Sequence, residues 1–175
     1  MIDPVVSLSI RAGFALLFAV SAVEKAKAPS VFILQLEQYQ LLPKSLLGVV
    51  GASIILLELG VATLLITPLY YEGVLFGTLL LSVYAGAILI NLLRGRIWMD
   101  CGCLGTGGEG LSYWLVIRNL TLLTILLIAL IPPGQRQLLW LDYWTVTLTI
   151  FATSIGYLGL NILIAANFRS KMWWG

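Results

Sequence analysis

Five long apolar runs dictate what this chain can fold into. They lie at about Pro4 to Val23, Leu46 to Thr67, Gly73 to Leu93, Leu111 to Ile131 and Tyr143 to Asn167. Each is close to or above the roughly 20 residues that a helix needs to cross the hydrocarbon core of a bilayer. Their ends are marked by charge or proline: Glu24-Lys25-Ala26-Lys27 after the first, Pro43 and Pro68 around the second, Arg94 after the third, Pro132-Pro133 after the fourth, Arg169 and Lys171 after the fifth. Lipid offers no hydrogen bonds to a bare backbone, so such runs span as helices. The expected fold is an all-α integral membrane protein, a bundle of about five transmembrane helices making one domain over residues 1–175. Composition agrees. The chain is 60% hydrophobic and only 10% charged, with a mean hydropathy of +1.01, whereas a soluble domain is about a quarter charged. Asp3 ahead of the first run and Arg11 inside it do not suit a cleavable signal, so this run is read as a retained first helix.

Between the first two runs, residues 31–42 are apolar but too short to cross. Phe32, Leu36, Tyr39 and Leu42 share one helical face, and Gln35, Glu37, Gln38 and Gln40 fall largely elsewhere. That pattern predicts a short interfacial or re-entrant helix. It serves either as a structural lid on the bundle or as a gate for a substrate or quinone.

Two charges interrupt the apolar runs. Arg11 falls about midway along the first and Glu58 about midway along the second. Ionised groups in lipid face the bundle interior and find partners, so Arg11 and Glu58 are expected to pair with each other. Gly51, Ile55 and Ala62 share the Glu58 stripe, and the small ones let a neighbouring helix come close. Gly77, Tyr84 and Asn91 recur at heptad spacing in the third run. Ser154, Tyr157 and Asn161 share a face of the fifth. Such groups mostly satisfy one another between helices.

Several function classes drop out. A net charge of +2 with scattered basic residues does not suit nucleic acid. There is no histidine, and two cysteines fall short of the four ligands of a structural zinc site. No metal is expected.

What remains is the stretch Arg94-Gly95-Arg96-Ile97-Trp98-Met99-Asp100-Cys101-Gly102-Cys103-Leu104-Gly105, which holds both cysteines of the chain. A disulfide needs Cα atoms roughly 4.4–6.8 Å apart. Residues two apart reach about 7 Å when extended, and a turn at Gly102 shortens that without steric cost. Cys101 and Cys103 can therefore cycle between a dithiol and a tight, strained disulfide, which suits a carrier of oxidising equivalents better than a staple. Arg94, Arg96 and, a few turns on, Arg118 are candidate sources of the positive charge that favours a thiolate. Asp100 opposes it or takes a proton during exchange. The alternative is a pair of inert cysteines, with Arg118 an interfacial anchor.

The order Arg11, Lys25, Phe32, Tyr39, Pro43, Glu58, then Asn91-Leu92-Leu93-Arg94-Gly95-Arg96, Asp100-Cys101-Gly102-Cys103-Leu104-Gly105 and Arg118-Asn119 resembles the MauE branch of the MauE/DoxX redox-associated membrane proteins. The resemblance runs from about Arg11 to Leu130, and the cysteine block with the later Arg-Asn is its most specific part. Leu104 stands where phenylalanine is expected. The resemblance implies a four-helix DoxX-like core plus one further helix. It also implies a role in maturation: the family is associated with methylamine dehydrogenase, whose small periplasmic subunit is rich in disulfides. The partner does not transfer with the family. Quinone-linked sulfur chemistry in the wider DoxX group makes a quinone the candidate acceptor, with no cofactor bound covalently.

Two functions follow. In one, the chain is a membrane thiol–disulfide redox protein, acting on a periplasmic thiol/disulfide protein. In the other, it is a non-catalytic subunit of a larger membrane complex, docking through its fifth helix and anchored by Trp173-Trp174. Orientation divides two arguments. Lys25, Lys27, Lys44, Arg94, Arg96, Arg169 and Lys171 all fall on the side of the cysteines, which the positive-inside rule makes cytoplasmic. Lasting disulfide chemistry belongs on the other side of the membrane. The extracytoplasmic face is the expectation adopted.

Overall fold

The computed structural model describes residues 1–95 and 112–173, with side chains through Gly159 and at Leu163. Among the described residues six α-helices follow one another: α1 Pro4–Lys27, α2 Pro29–Tyr39, α3 Leu47–Ile66, α4 Tyr70–Leu93, α5 Tyr113–Ile128 and α6 Trp140–Trp173. A single 3-10 turn, Lys44–Leu46, leads into α3. There is no β-strand element among the described residues.

Local chemistry sets the boundaries. The Asp3 carboxylate accepts from the Val5 backbone N–H at 2.8 Å, and Pro4 takes the first helical position, where its missing N–H costs nothing. Pro29 starts α2 in the same way, two residues after α1 ends. Gln40 closes α2 in the left-handed conformation at φ 48°, with its N–H donating to the Glu37 carbonyl.

α1, α3, α4 and α5 form the expected four-helix core, and α6 lies outside it against α1. α1, α4 and the continuous unit Lys44–Ile66 are each long and apolar enough to cross a bilayer. α5 is shorter, 16 residues or about 24 Å at 1.5 Å per residue. The 34 residues of α6 exceed the hydrocarbon thickness. Phe14, Phe18, Val61, Leu65, Val74, Leu81 and Leu126 fill the middle of the core. Gly77 permits the approach there, because a Cβ on it would lie 2.9 Å from Leu126 Cδ2 and 3.3 Å from both Phe18 and Val61.

Polarity is inverted relative to a soluble protein. Val49 and Leu56 are 66% and 69% exposed, while Glu58 and Asn91 are wholly buried. The outer surface is built for lipid and the polar groups look inward. The chain is a multi-pass membrane protein.

α1 and α3 run antiparallel, and a step separates their ends. Ser21, six residues before the end of α1, meets Glu58, eleven residues into α3. The start of α3 thus outreaches α1 by about 7 Å, from the 1.5 Å rise per residue. α2 fills that step. Phe32, Ile33 and Leu36 pack over Gly51, where only a hydrogen faces them. Tyr39, at the other end of α2, packs with Ile88 and Leu92 of α4 and Leu115 and Val116 of α5. The sequence-predicted interfacial helix is therefore a roof across one end of the four-helix core.

The opposite end is clasped. Ile2 N–H donates to the Pro132 carbonyl at 3.2 Å, and Gly134 N–H donates to the Ile2 carbonyl at 2.8 Å. Arg136 bridges Asp3 and Asp142 at 3.4 and 3.1 Å.

Candidate functional site

Below the roof, two helices, α1 and α4, aim polar groups at one carboxylate on α3. Glu58 Oε1 accepts from Ser21 Oγ at 3.0 Å, Lys25 Nζ at 2.7 Å and Tyr84 OH at 2.7 Å. Oε2 accepts from Lys25 Nζ at 2.9 Å. Lys25 also donates to Ser21 Oγ, so the α1 pair forms one unit. The Lys25 ammonium lies between the rings of Phe32 and Tyr84, 5.5 and 5.6 Å from their centroids. Each position follows from helical periodicity. Phe14, Phe18, Ser21 and Lys25 lie on the inward stripe of α1, and Gly77, Tyr84 and Asn91 on that of α4.

The expected pairing of Arg11 with Glu58 is corrected. Arg11 Nε donates to the Leu65 carbonyl at 2.9 Å and Nη2 to the Thr67 carbonyl at 3.2 Å. Its guanidinium carbon sits 3.9 Å above the Tyr70 ring centroid. The reason is register. With α1 antiparallel to α3, Arg11 comes level with the C-terminal end of α3, seven residues or about 10 Å beyond Glu58. There the last carbonyls of a helix lack intrahelical partners and carry the negative end of its dipole. Arg11 satisfies them, and Lys25 takes the carboxylate.

Around the Glu58 cluster lies a cavity of about 180 Å³. Phe18, Leu81 and Ile88 contribute apolar walls, and Phe32, Leu36 and Tyr39 of α2 close it above. Arg118, Asn119 and Leu122 of α5 and Tyr157 of α6 complete the lining. Arg118 is half-buried, with its guanidinium carbon 5.9 Å from the Tyr157 ring centroid. Asn119 donates to the Leu115 carbonyl at 2.9 Å and Asn91 to that of Ala87 at 3.1 Å. Asn91 Oδ1 is buried without a hydrogen bond among the described residues. The amides thus bind back along their own helices.

Arg94 caps α4 and is exposed. Arg96, Asp100, Cys101 and Cys103 lie outside the described residues, as do the side chains of Asn161, Arg169 and Lys171 and the residue Trp174. The segment that carries the cysteines joins the end of α4 to the start of α5. Those helix ends are the ones over which α2 lies, with Tyr39 packed against Leu92 and Leu115. No cluster of three or more metal-ligating side chains occurs among the described residues. Sequence reasoning missed Lys25 and Ser21 as partners of Glu58. The available signal was their i, i+4 spacing on the Phe14–Phe18 stripe.

The family model described as Methylamine utilisation protein MauE matches residues 3–132, from the cap of α1 to just past α5. The chain belongs to the MauE family. Its relatives include the Methylamine utilization protein MauE of Paracoccus denitrificans, 36% identical over 129 residues, or 73% of this chain and 69% of the relative. That of Methylorubrum extorquens is 35% identical over 119 residues, 67% and 64% of the two chains. That of Paracoccus versutus is 34% identical over 137 residues, 76% and 74%. No solved structure matches. The MauE match takes in the Glu58 cluster, the roof and the cysteine segment, and leaves α6 outside it.

Proposed function

We propose that this MauE-family chain is a membrane thiol–disulfide redox protein that uses Cys101-Gly102-Cys103 to supply or relay oxidising equivalents to partner proteins during their maturation. The observation that carries the reading is the vicinal pair itself, two cysteines around a glycine, in the stretch of sequence between α4 and α5. A partner thiolate attacks the Cys101–Cys103 disulfide and forms a mixed disulfide. The partner's second thiolate then displaces the chain's sulfur. The partner leaves with a disulfide and the chain holds the dithiol, two electrons richer. An acceptor must remove those electrons before the next cycle. Cys103, beside the glycine-rich stretch, is taken as the cysteine that exchanges with the partner, and Cys101 as its resolving cysteine, which is released when the disulfide opens and closes on Cys103 when it re-forms.

An extracytoplasmic cysteine segment fits this chemistry. The buried Lys25 supports that side. Its charge is spent on Glu58 inside the bundle, and Lys44 is bound to Glu37 at 2.7 Å, so two of the counted lysines are not free signals of orientation.

The test is Cys101→Ser and Cys103→Ser in cells that require partner oxidation. One variant should accumulate a mixed disulfide and the other lose partner oxidation. Full activity in both variants overturns the proposal.

A second reading rests on α6. It packs chiefly on α1 and leaves Phe151, Ile155, Leu158 and Leu163 exposed along one side. This ridge suits a non-catalytic subunit docking on a larger membrane complex. Fixed-stoichiometry co-purification after gentle extraction, with thiols that never change state, favours it.

A further inference from the structure

Arg118 gives the cavity under α2 a second cation. Its described lining holds Lys25 and Arg118 against one carboxylate, Glu58. Lys25 lies 2.7 and 2.9 Å from the two Glu58 oxygens, so those two groups are neutral as a unit. A ligand entering the space then meets Arg118 as the cation on the α5 side. A guanidinium has five N–H donors in a planar fork, so it can grip a carboxylate through two of them alongside its other contacts. The next residue, Asn119, lines the same cavity and is 3% exposed. One of its amide N–H groups donates to the Leu115 carbonyl, and the amide has a second. α5 thus presents a charged fork and an amide side by side. Elsewhere the walls include Phe18, Leu81, Ile88 and Leu122, which suit hydrocarbon. The lining reaches the outer face at Leu41, Leu42 and Val83, which are 38%, 38% and 54% exposed. That face is in lipid, so a chain can run from the cavity into the bilayer. At about 180 Å³ the space is on the scale of an engineered cavity of about 150 Å³ that takes up benzene. It suits a small head and the first carbons of a chain, and a phospholipid's phosphodiester with its glycerol is larger.

We propose that this cavity binds the head of a long-chain carboxylic acid taken from the bilayer. Arg118 grips the carboxylate, the Asn119 amide donates to it, and the chain leaves past Leu41, Leu42 and Val83. Charge selects the acid over an alcohol or ester of the same length. Away from water an ionised head is costly without a cation, and a well-placed guanidinium holds it by charge-assisted hydrogen bonds. Glu58 does not oppose the head, because Lys25 matches its charge. No cysteine takes part, so this inference stands or falls apart from the thiol–disulfide reading.

The experiment uses the full chain in nanodiscs of a single phosphatidylcholine, with palmitic acid carrying a diazirine in its chain as photoaffinity probe. Labelled peptides are mapped by mass spectrometry. Saturable labelling around the cavity, displaced by palmitate and at least about tenfold less well by cetyl alcohol, is expected. Arg118→Gln should weaken displacement by palmitate roughly ten- to a hundredfold, the range of hydrogen bonds to a charged group, and remove the preference for acid over alcohol. Arg118→Lys should keep that preference, and Ala87→Phe, which fills the space from α4, should abolish labelling. Thermal unfolding identifies which variants are folded and scored. If none is, the comparison of acid with alcohol on the unaltered chain decides. Labelling that does not saturate, or that cetyl alcohol displaces as well as palmitate, overturns the proposal. So does an unchanged preference in folded Arg118→Gln, or labelling that persists in folded Ala87→Phe. Displacement by phosphatidylglycerol as strong as by palmitate also overturns it, in favour of an anionic phospholipid.

Discussion

Lys25 Nζ lies 2.7 Å from Oε1 and 2.9 Å from Oε2 of Glu58, and the two side chains are 6% and 0% exposed. Two charges so placed cost more to separate than to remove. Glu58→Gln or Lys25→Met alone should destabilise by about 3–5 kcal/mol, because each leaves the other charge buried and unpaired. Lys25→Met combined with Glu58→Leu should recover much of that loss. Reversible unfolding in mixed micelles measures all three. A double variant no better than the worse single one would contradict the pairing.

Arg11 and Glu58 should behave independently. Arg11→Gln removes a charge-assisted cap from the Leu65 and Thr67 carbonyls and should cost roughly 1–3 kcal/mol. Because the two sites share no partner, the Arg11→Gln/Glu58→Gln cycle should be additive within about 0.5 kcal/mol. A coupling well above that would restore the pairing that the sequence suggested.

Gly77 and Gly51 separate two kinds of close approach. A methyl at Gly77 meets Leu126, Phe18 and Val61 at 2.9–3.3 Å in the centre of the core, so Gly77→Ala should cost roughly 1–3 kcal/mol. A methyl at Gly51 meets α2 side chains at 3.5–3.8 Å, ordinary contact distance. Gly51→Ala should leave stability nearly unchanged. Comparable losses in the two variants would show that the roof is packed as tightly as the core.

The bridge at the clasped end should respond to acid. The Leu139 backbone N–H, and then the Arg136 guanidinium, hold Asp142 below the ordinary carboxylate range. A depressed folded-state value stabilises the fold above the ordinary aspartate pKa of about 3.9, and the contribution is lost as pH falls through the folded value. Asp142→Asn should therefore flatten the acid limb of the unfolding midpoint against pH. Parallel acid limbs in the two proteins would rule this out.

The side of the membrane can be read from the thiols. With an extracytoplasmic cysteine segment, a membrane-impermeant maleimide labels Cys101 and Cys103 in intact cells after mild reduction. Labelling that needs permeabilisation would place them inside, and a disulfide role outside the cytoplasm would fall with it.

The helices were legible because their ends are written in residue types: Pro4, Pro29, Pro68 and the Pro132-Pro133 pair mark where a helix can begin or must stop. The roof was legible from the spacing of Phe32, Leu36 and Tyr39. The partner of Glu58 was not. Arg11 and Lys25 lie on one stripe of α1, 14 residues or about 21 Å apart, and a carboxylate on α3 can reach only one of them. Which one depends on the sliding of α1 against α3, fixed by the packing of Phe14 and Phe18 among Val61, Ala62 and Leu65. No local pattern in either helix carries that information. Lys25 also looked like an end-of-span charge, since nothing in sequence says that α1 stops short of α3.

The clasp between Ile2 and the Pro132–Gly134 corner has a bearing on how the protein is made. It joins backbone positions about 130 residues apart and encloses α1 to α5 between them. A ribosome delivers α1 to the bilayer long before it has made Pro132. Until then the Asp3 end of α1 has neither the corner's backbone nor Arg136 to hold it. The seam of the four-helix ring is therefore sewn from its last stitch, once α5 has been threaded. A fusion that blocks the Ile2 backbone would leave every helix in place and the ring unsewn.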